Sequence, residues 1–266
     1  MLLKLLLEKV SPVDSELLIS HVSKLPREKI ISGNFKLNLL QRVYLIHLLF
    51  QRIIKNTPVA VLTKKTHFYK SEFYINKNIL VPSPDTEILV EYAVNKNNIP
   101  NNSIICEIGG GSGAICLSIA KDRPDLKVLA TEKSKKAFNV LEKNLKKLDL
   151  KNINIFNTDF LPKNTDLTSN IDVVIANLPY VESDIFKKEK MKHGPKISLD
   201  GGKDGLDVYR ELLKKLKNTN VKLLIFECSA WQVDELQKIY EEGNWKLKDI
   251  LFDLSGQERG IALVSR

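Results

Sequence analysis

The sequence predicts an α/β protein with a doubly wound, mostly parallel sheet, preceded by a small helical domain. From residue 104 onward, apolar runs of strand length alternate with helical segments, an order typical of parallel sheets flanked by helices. Residues 1–60 instead carry apolar clusters at helical spacing, punctuated by Pro12, Pro26 and Gly33. The expected segments are a helical domain over residues 1–65, a β-hairpin linker over residues 66–84 and an α/β domain over residues 85–266.

Composition narrows the class of protein. The 266 residues are 43% hydrophobic and 27% charged, as in ordinary globular proteins, which excludes disordered and collagen-like chains. The first nine residues look apolar, but Lys4 and Glu8 interrupt them, so we expect an amphipathic helix rather than a signal peptide or a membrane span. We therefore expect a cytoplasmic protein that has no membrane partner.

The cysteines and histidines do not predict a metal site. Cys106, Cys116 and Cys228 lie far apart in apolar patterns, which predicts buried thiols in a reducing compartment. The histidines are equally scattered: His21, His47, His67 and His193. None of these residues has the spacing of metal ligands. His47 lies on the apolar stripe of a predicted helix, so we expect it to be packed in the core.

Positive charge is concentrated near the N-terminus. The net charge is +9, and residues 1–65 hold 11 basic against 4 acidic residues, whereas residues 66–266 hold 30 against 28. Solvated helix faces would explain this excess, and so would docking onto an acidic partner or one that carries nucleic acid.

In the linker, the spacing of apolar residues changes from helical to every second residue. Apolar residues alternate over residues 68–75 and return over 79–81, with Asn76-Lys77-Asn78 between them, which predicts a hairpin. Pro82 and Pro84 then force extended backbone before Asp85 or Thr86 caps a helix.

The remaining chain predicts the elements of the sheet. Strands are expected over residues 104–108, 128–131, 153–156, 171–176, 221–226, 245–252 and 261–264, and helices over 114–120, 135–148, 206–216 and 233–241.

A glycine loop, residues 107–113, ends the first of these strands and opens the first helix. Glycines let the backbone pass close to a ligand, and a helix N-terminus offers unpaired amide donors. Glu132 closes the next strand, roughly 20 residues on, where a carboxylate can bind both hydroxyls of a ribose. Asp159, after the third strand, is placed to accept a hydrogen bond from an adenine amino group.

Two cofactors compete for this loop, because Gly109-x-Gly111-x-x-Ala114 also satisfies a loosened dinucleotide fingerprint. Glu107 would oppose a pyrophosphate and favour the cationic sulfonium and amino groups of S-adenosylmethionine. The pattern therefore favours the methyl donor, while a loop that merely turns a corner stays an alternative.

A second polar stretch, Asn177-Leu178-Pro179-Tyr180, follows the apolar run 171–176. The Asn177 oxygen and the Leu178 carbonyl can accept hydrogen bonds from a planar amine or amide nitrogen, and Tyr180 can stack on the flat group. A simple turn after the strand is the structural alternative.

Taken with other segments, these motifs resemble the N5-glutamine methyltransferases that modify peptide-chain release factors. The resemblance runs over most of the chain, through residues 16–18, 26–28, 68–87, 107–115, 177–180 and 199–207, with Glu227 and Gln232. The glycine loop alone is shared by many methyltransferases, whereas the linker and residues 199–207 are more discriminating.

The resemblance implies a class I, Rossmann-like methyltransferase fold and S-adenosylmethionine as the cofactor. It implies that the substrate is the glutamine of the release factor's Gly-Gly-Gln tip, and that the helical domain docks the release factor. The candidate residues are Asn177, Leu178, Pro179 and Tyr180 for catalysis and Glu107, Gly109, Gly111, Gly113, Glu132, Asp159 and Asn177 for the cofactor.

The sequence also departs from the family pattern. Leu178 replaces the first proline of the usual Asn-Pro-Pro-Tyr, a form familiar in adenine dimethylases of ribosomal RNA. Ser83 replaces an arginine of the linker, and the residue before Gly194-Pro195 is His193 rather than an acidic one. An adenine N6-methyltransferase acting on RNA or DNA therefore stays open, as does a catalytically weak docking protein. We expect a monomer, with a ribosomal RNA contact possible through the basic N-terminal domain.

Overall fold

The computed structural model describes residues 2–162, 168–188, 194–242 and 244–266. The chain divides into two compact units: a helical unit of residues 1–65 and 75–77, and an α/β unit of residues 66–74 and 78–266. His193 lies outside the described residues. No described helix is both long and apolar enough to cross a membrane.

The helical unit is built from short helices whose ends are set by polar side chains. They are α1 (Leu2–Leu7), α2 (Pro12–Ser23), α3 (Arg27–Ile31), α4 (Leu39–Lys55) and α5 (Val59–Thr63). The Ser11 hydroxyl caps α2 by accepting from the Asp14 amide at 3.1 Å. Asn38 and Gln41 form a capping box at the start of α4. Leu18, with residues of α4, forms the buried core of the unit.

Helix α4 is apolar on two faces, and the sequence-based choice of its buried face was wrong. Leu45, Leu48 and Leu49 are buried, whereas His47 is exposed and its Nε2 lies 2.7 Å from Nε2 of Gln51. Both faces satisfy helical spacing, so periodicity alone does not choose between them. The large apolar residues that α4 exposes are Leu39, Leu40, Val43, Tyr44, Phe50 and Ile54.

The α/β unit contains the predicted sheet. Its strands and helices are β1 (Lys65–Phe68, which begins at the last residue of the helical unit), β2 (Ser71–Tyr74), α6 (Glu87–Val94), β3 (Ile104–Ile108), α7 (Ala114–Asp122), β4 (Lys127–Thr131), α8 (Lys135–Leu148), β5 (Ile153–Phe156), β6 (Val173–Ala176), α9 (Ser183–Lys188), α10 (Asp207–Leu216), β7 (Leu223–Glu227), α11 (Val233–Glu242), β8 (Trp245–Phe252) and β9 (Glu258–Ser265).

Within the described residues, seven strands form the main sheet in the order β5-β4-β3-β6-β7-β9-β8. All neighbouring pairs from β5 to β7 are parallel, and β9 runs antiparallel between β7 and β8. This confirms the doubly wound, mostly parallel sheet. The chain order reverses between β3 and β6, which creates a topological switch point. Cys106, Cys116 and Cys228 are buried free thiols, as expected.

The hairpin exists at a different place from the predicted one. It pairs β1 with β2, and the turn between them places Tyr69 at φ +51°. Residues 79–81 are not a strand, although Ile79 is buried. The alternation of aromatic and polar residues correctly predicted extended strands. It could not locate the turn, because Tyr69 adopts left-handed backbone there, a conformation that is uncommon outside glycine and asparagine.

Candidate active site

The ends of β3, β4, β6 and β7 meet at one edge of the sheet. The strands are in register, since Ile108 pairs with Ala176 and Ala176 with Phe226. A cavity of about 850 Å³ opens at this edge, and all of its lining residues belong to the α/β unit. Each strand end contributes a polar side chain to its lining: Glu107, Glu132, Asn177 and Glu227.

The glycine loop borders this cavity closely. Gly109 and Gly111 have φ of +77° and +55°, which glycine adopts without strain. The amides of Gly109 and Gly110 donate to the Thr131 carbonyl at 2.9 and 2.8 Å, so they hold the loop onto β4. A Cβ on Gly111 would meet its nearest atom at 3.9 Å, and a Cβ on Gly109 at 4.0 Å. The space beside both glycines is therefore open to a ligand.

Gly113, predicted to bind the cofactor, does not line the cavity. It precedes α7, and a Cβ there would lie 2.7 Å from Cδ1 of Leu117 and closer still to Leu141. Its missing side chain lets α7 and α8 pack together. Spacing within the loop did not distinguish this packing glycine from the glycines that face the cavity.

Glu107 is a buried carboxyl group that lines the cavity. Its Oε2 accepts a hydrogen bond from the Cys116 amide in the first turn of α7 at 2.9 Å. Burial raises the pKa of Glu107 to about 8, and this hydrogen bond only partly opposes the rise. A cation beside this carboxyl group would favour its ionised form.

Glu132 follows β4, and its carboxylate is held by two backbone amides. Oε2 accepts from the Gly111 amide at 2.9 Å, and Oε1 accepts from the Ser134 amide at 2.7 Å. Each carboxylate oxygen has further lone pairs. Glu132 therefore has a fixed orientation and can still accept hydrogen bonds from two adjacent hydroxyl groups.

Asp159 also lines the cavity, as predicted, but it is held more loosely. Its Oδ2 lies 2.9 Å from Nζ of Lys133, and the two side chains are 58% and 59% exposed. An exposed pair of this kind contributes little to stability, so Asp159 is free to exchange Lys133 for another donor.

These residues fit S-adenosylmethionine. The buried Glu107 carboxyl group suits a cationic methionine portion, the oriented Glu132 carboxylate suits a ribose diol, and Asp159 suits an amino group. The described residues contain no cluster of three or more His, Cys, Asp or Glu side chains arranged to hold a metal ion.

Asn177 directly follows β6, and its amide is fixed by two partners. Nδ2 donates to Oγ1 of Thr86 at 3.1 Å and to Oε2 of Glu227 at 2.9 Å. The opposite orientation would bring the amide oxygen against a carboxylate oxygen at the same distance. Oδ1 is thus the atom of this amide that stays available as an acceptor, as the sequence predicted.

Leu178 and Tyr180 complete this side of the cavity. No described residue donates a hydrogen bond to the Leu178 carbonyl, and the leucine side chain is buried. The Tyr180 hydroxyl donates to Oε1 of Glu227 at 3.2 Å. Burial and the neighbouring carboxylate raise the pKa of Tyr180, so its hydroxyl keeps its proton.

Glu227 is a site residue to which the sequence reasoning assigned no role. It ends β7, is 3% exposed and accepts from both Asn177 and Tyr180. Burial raises the pKa of Glu227, and hydrogen bonds from the hydroxyls of Thr86 and Tyr180 partly oppose the rise. One signal was present: an acidic residue directly follows the predicted strand 221–226, as Glu132 follows its strand.

Residues 199–207, the glycine segment, support the backbone of Pro179 and Tyr180. A Cβ on Gly201 would lie 2.7 Å from the Pro179 carbonyl oxygen, and a Cβ on Gly205 would clash with the Tyr180 carbonyl. The buried Gln232 amide donates to the Tyr180 carbonyl at 3.3 Å and to the Gly205 carbonyl at 3.2 Å. Only glycines permit this approach.

Comparison with known proteins places the chain in a family. A methyltransferase family model matches residues 101–175. A release factor glutamine methyltransferase of Clostridium acetobutylicum is 31% identical over 260 residues, covering 94% of this chain and 90% of that protein. The chain belongs to the release factor glutamine methyltransferases. A second member, from Buchnera aphidicola subsp. Acyrthosiphon pisum, is 30% identical and covers 95% of this chain and 93% of that protein.

A solved structure supports the fold. The crystal structure of the hMettl16 catalytic domain in complex with a MAT2A 3′UTR hairpin has a TM-score of 0.56 and 13% identity, covering 90% of this chain and 92% of that one. At this identity the likeness concerns the fold alone.

Membership of the release factor glutamine methyltransferases confirms the resemblance drawn from the motifs and makes the chain an S-adenosylmethionine-dependent methyltransferase. The adenine alternative raised by Leu178 is not favoured, since the similar curated proteins carry the glutamine methyltransferase name.

Proposed function

We propose that this enzyme transfers a methyl group from S-adenosylmethionine to the side-chain amide nitrogen of the glutamine in the Gly-Gly-Gln motif of a peptide-chain release factor. The observation that carries the proposal is the fixed amide of Asn177. Its nitrogen donates to Thr86 and Glu227, so its oxygen is the atom available to a bound substrate side chain, the guest. An amide guest has the two N–H donors that such an acceptor needs.

The cofactor is assigned to one side of the cavity, the cofactor side. Glu107 carries the methionine portion, Gly109 and Gly111 leave room for it, Glu132 accepts from the ribose hydroxyls, and Asp159 accepts from the adenine amino group. When bound, the cofactor supplies an electrophilic methyl group.

The glutamine is assigned to the other side, the amide side, which comprises Asn177, Leu178, Pro179 and Tyr180. Asn177 Oδ1 and the Leu178 carbonyl accept the two N–H groups of the glutamine amide, because both acceptors lack a described donor. Pro179 fixes the backbone that carries this carbonyl. Tyr180 walls off the planar group and keeps water away from it.

Positioning accounts for the chemistry of this site. An amide nitrogen is a poor nucleophile because its lone pair is delocalised into the carbonyl. The two acceptors orient this nitrogen toward the methyl group, and orientation of this kind supplies roughly 7–11 kcal/mol in favourable cases. As the nitrogen–methyl bond forms, positive charge develops on the nitrogen, and the same acceptors stabilise its N–H groups. The bond between the methyl group and the sulfonium sulfur would break as the nitrogen–methyl bond forms, which leaves a neutral thioether. The nitrogen would then lose one of the protons that it directs to Asn177 Oδ1 and the Leu178 carbonyl, and this proton would pass to solvent.

The helical unit is proposed to dock the release factor. It exposes large apolar residues along α4 and carries 11 basic against 4 acidic residues over residues 1–65. Apolar area with a basic surround suits a protein partner with acidic patches. The contact with ribosomal RNA, the monomeric state and the cytoplasmic location stay predictions.

Labelling tests the function directly. The protein is incubated with methyl-labelled S-adenosylmethionine and, separately, a release factor, the same factor with its tip glutamine replaced, and ribosomal RNA. We expect label in the intact factor alone. Label in the RNA, or undiminished label in the replaced factor, would overturn the proposal.

A further inference from the structure

Glu227 takes no direct part in the proposed reaction, yet it connects the two polar side chains of the amide side. Its carboxylate accepts from Nδ2 of Asn177 at 2.9 Å through Oε2 and from the Tyr180 hydroxyl at 3.2 Å through Oε1. It is 3% exposed, so water cannot easily replace either partner. A buried polar group held in this way specifies one arrangement of its neighbours.

We propose that Glu227 is the positioning residue that keeps the Asn177 amide oxygen toward the cavity, and that it thereby makes the site select a carboxamide over a carboxylate. The inference rests on the proposed function, because it takes the guest to be a glutamine side chain.

The side-chain amide of Asn177 is nearly symmetric in shape. Its oxygen and nitrogen exchange places when the side chain rotates by half a turn, with little change in shape. Oγ1 of Thr86 lies 3.1 Å from Nδ2, and because the single proton of this hydroxyl is donated to the Glu227 carboxylate, Thr86 faces the Asn177 amide as an acceptor. An ionised carboxylate accepts only. Glu227 therefore decides, directly and through Thr86, which end of the Asn177 amide faces the bound side chain.

Selection among guests follows from that orientation. Glutamine and glutamate side chains have the same shape, so the site must distinguish them by polarity. With Asn177 Oδ1 and the Leu178 carbonyl both accepting, a carboxamide nitrogen finds two partners, whereas a carboxylate oxygen meets two acceptors. A reversed Asn177 would offer N–H donors instead, and the advantage of the carboxamide would shrink.

The Tyr180 hydroxyl makes a conservative replacement available. Because a phenol both donates and accepts, glutamine at position 227 can direct its carbonyl to Asn177 and its NH₂ group to Tyr180. Glu227→Gln therefore retains the acceptor that matters. Glu227→Ala removes it, and Glu227→Leu removes it while filling more of the space. Tyr180→Phe removes the other partner of Glu227 and leaves the Asn177 contacts in place.

The experiment measures tip preference in these four variants and the wild type. Preference is the KM of the intact release factor compared with the inhibition constant of the factor whose tip glutamine is replaced by glutamate. The ratio cancels the docking energy common to both factors. Cofactor affinity and melting temperature are measured alongside, so that a general loss of structure is recognised.

We expect Glu227→Ala to lower kcat about 10- to 100-fold and the tip preference about 10-fold, with cofactor affinity within about threefold of the wild type. Glu227→Gln should restore the preference, and Tyr180→Phe should retain it. An unchanged preference in Glu227→Ala, or a preference in Glu227→Gln as low as in Glu227→Ala, would overturn the inference. If Glu227→Ala does not fold, Glu227→Leu is measured under the same criteria.

A second measurement is independent of turnover. The side-chain NH₂ protons of Asn177, assigned by their loss in Asn177→Ala, should exchange slowly with solvent in the wild type and at least about 10-fold faster in Glu227→Ala. Equal exchange would overturn the positioning role. If the wild type fails to methylate the release factor, the proposed function falls, and the exchange rates still decide the role of Glu227.

Discussion

The cofactor side and the amide side of the cavity are held by hydrogen bonds between residues that differ greatly in their separation along the sequence. Glu107 is fixed by an amide 9 residues away and Glu132 by one 21 residues away. Asn177 depends on partners 91 and 50 residues away, Thr86 and Glu227. Glu107 and Glu132 are thus held within one strand–loop–helix and the strand beside it, whereas the amide side needs the ends of β6 and β7 and the segment before α6 to come together.

Because of this difference, we expect substitutions on the two sides to change different properties of the enzyme. Damage on the cofactor side should change cofactor affinity. Damage on the amide side should change turnover, even when it is made at residues far from the reacting nitrogen.

Replacement of Asn177 by alanine should have the largest effect. It removes an acceptor for the reacting amide, so we expect kcat to fall about 100- to 1,000-fold. Cofactor affinity should change less than about threefold, since Asn177 has no assigned hydrogen bond to the cofactor. Turnover and equilibrium binding of S-adenosylmethionine check this. Equal losses in both would show that the two sides are not separable, and would favour the other role predicted for Asn177, in binding the cofactor.

Gly205→Ala should damage the amide side from a distance. Gly205 has φ +73°, and a Cβ there would clash with the Tyr180 carbonyl. We expect a loss of about 2–4 kcal/mol in the free energy of unfolding, with lower turnover.

Gly256→Ala is the matched control, because Gly256 has φ +80° but a Cβ there would meet nothing within 4 Å. Strain alone should lower its stability by about 1 kcal/mol. Denaturant unfolding compares the two variants, and equal losses would refute the supporting role of the glycine segment.

Glu132→Ala should affect the cofactor side alone. The change removes the acceptor for the ribose hydroxyls and releases the Gly111 amide, so we expect cofactor affinity to fall about 10- to 100-fold. At saturating cofactor, kcat should be reduced far less than in Asn177→Ala. Isothermal titration and turnover at high cofactor concentration separate the two quantities.

Glu107→Gln tests the raised pKa on the cofactor side. In the wild type the pKa is about 8 when folded, against an ordinary value of 4.5. Between pH 4.5 and pH 8 the unfolded chain has lost the Glu107 proton while the folded protein still holds it. The free energy of unfolding of the wild type therefore falls as pH rises through this range, and this group causes no further loss above pH 8. Glutamine at position 107 carries no titratable proton, so the variant does not lose stability in this way.

We therefore expect the stability of Glu107→Gln relative to the wild type to grow by about 3–4 kcal/mol from pH 5 to pH 8 in the absence of cofactor, because the unfolded chain has lost this proton over most of that range while the folded protein keeps it. Melting temperatures of both proteins across that range measure it. A difference that does not grow with pH would contradict the raised pKa.

Sequence reasoning found the local part of this site and missed the distant part. The strands, the glycine loop, Glu107 and Glu132 could be predicted because each depends on neighbours close along the chain, and Asn177 could be placed at the sheet edge because it directly follows an apolar strand. Thr86, Glu227 and Gln232 acquire their roles only through the sheet order, which brings residues 47 to 91 apart into contact.

Two local predictions also failed, for a different reason. The hairpin was displaced because its turn uses Tyr69, a residue type that rarely adopts left-handed backbone. Gly113 was placed with the cofactor, whereas its missing side chain makes room for Leu117. The deciding features were the backbone conformation of Tyr69 and the packing of Leu117 and Leu141 against Gly113, and neither can be read from the spacing of residues.

The acidic edge of the cavity has a consequence for the end of the catalytic cycle. Glu107 and Glu132 bring two carboxyl groups to the cofactor side of the cavity, in a chain of net charge +9. They attract a sulfonium ion, and after methyl transfer the sulfur of the spent cofactor is neutral. Part of the electrostatic attraction then disappears, so the same residues that recruit the methyl donor favour release of its product and replacement by a fresh molecule.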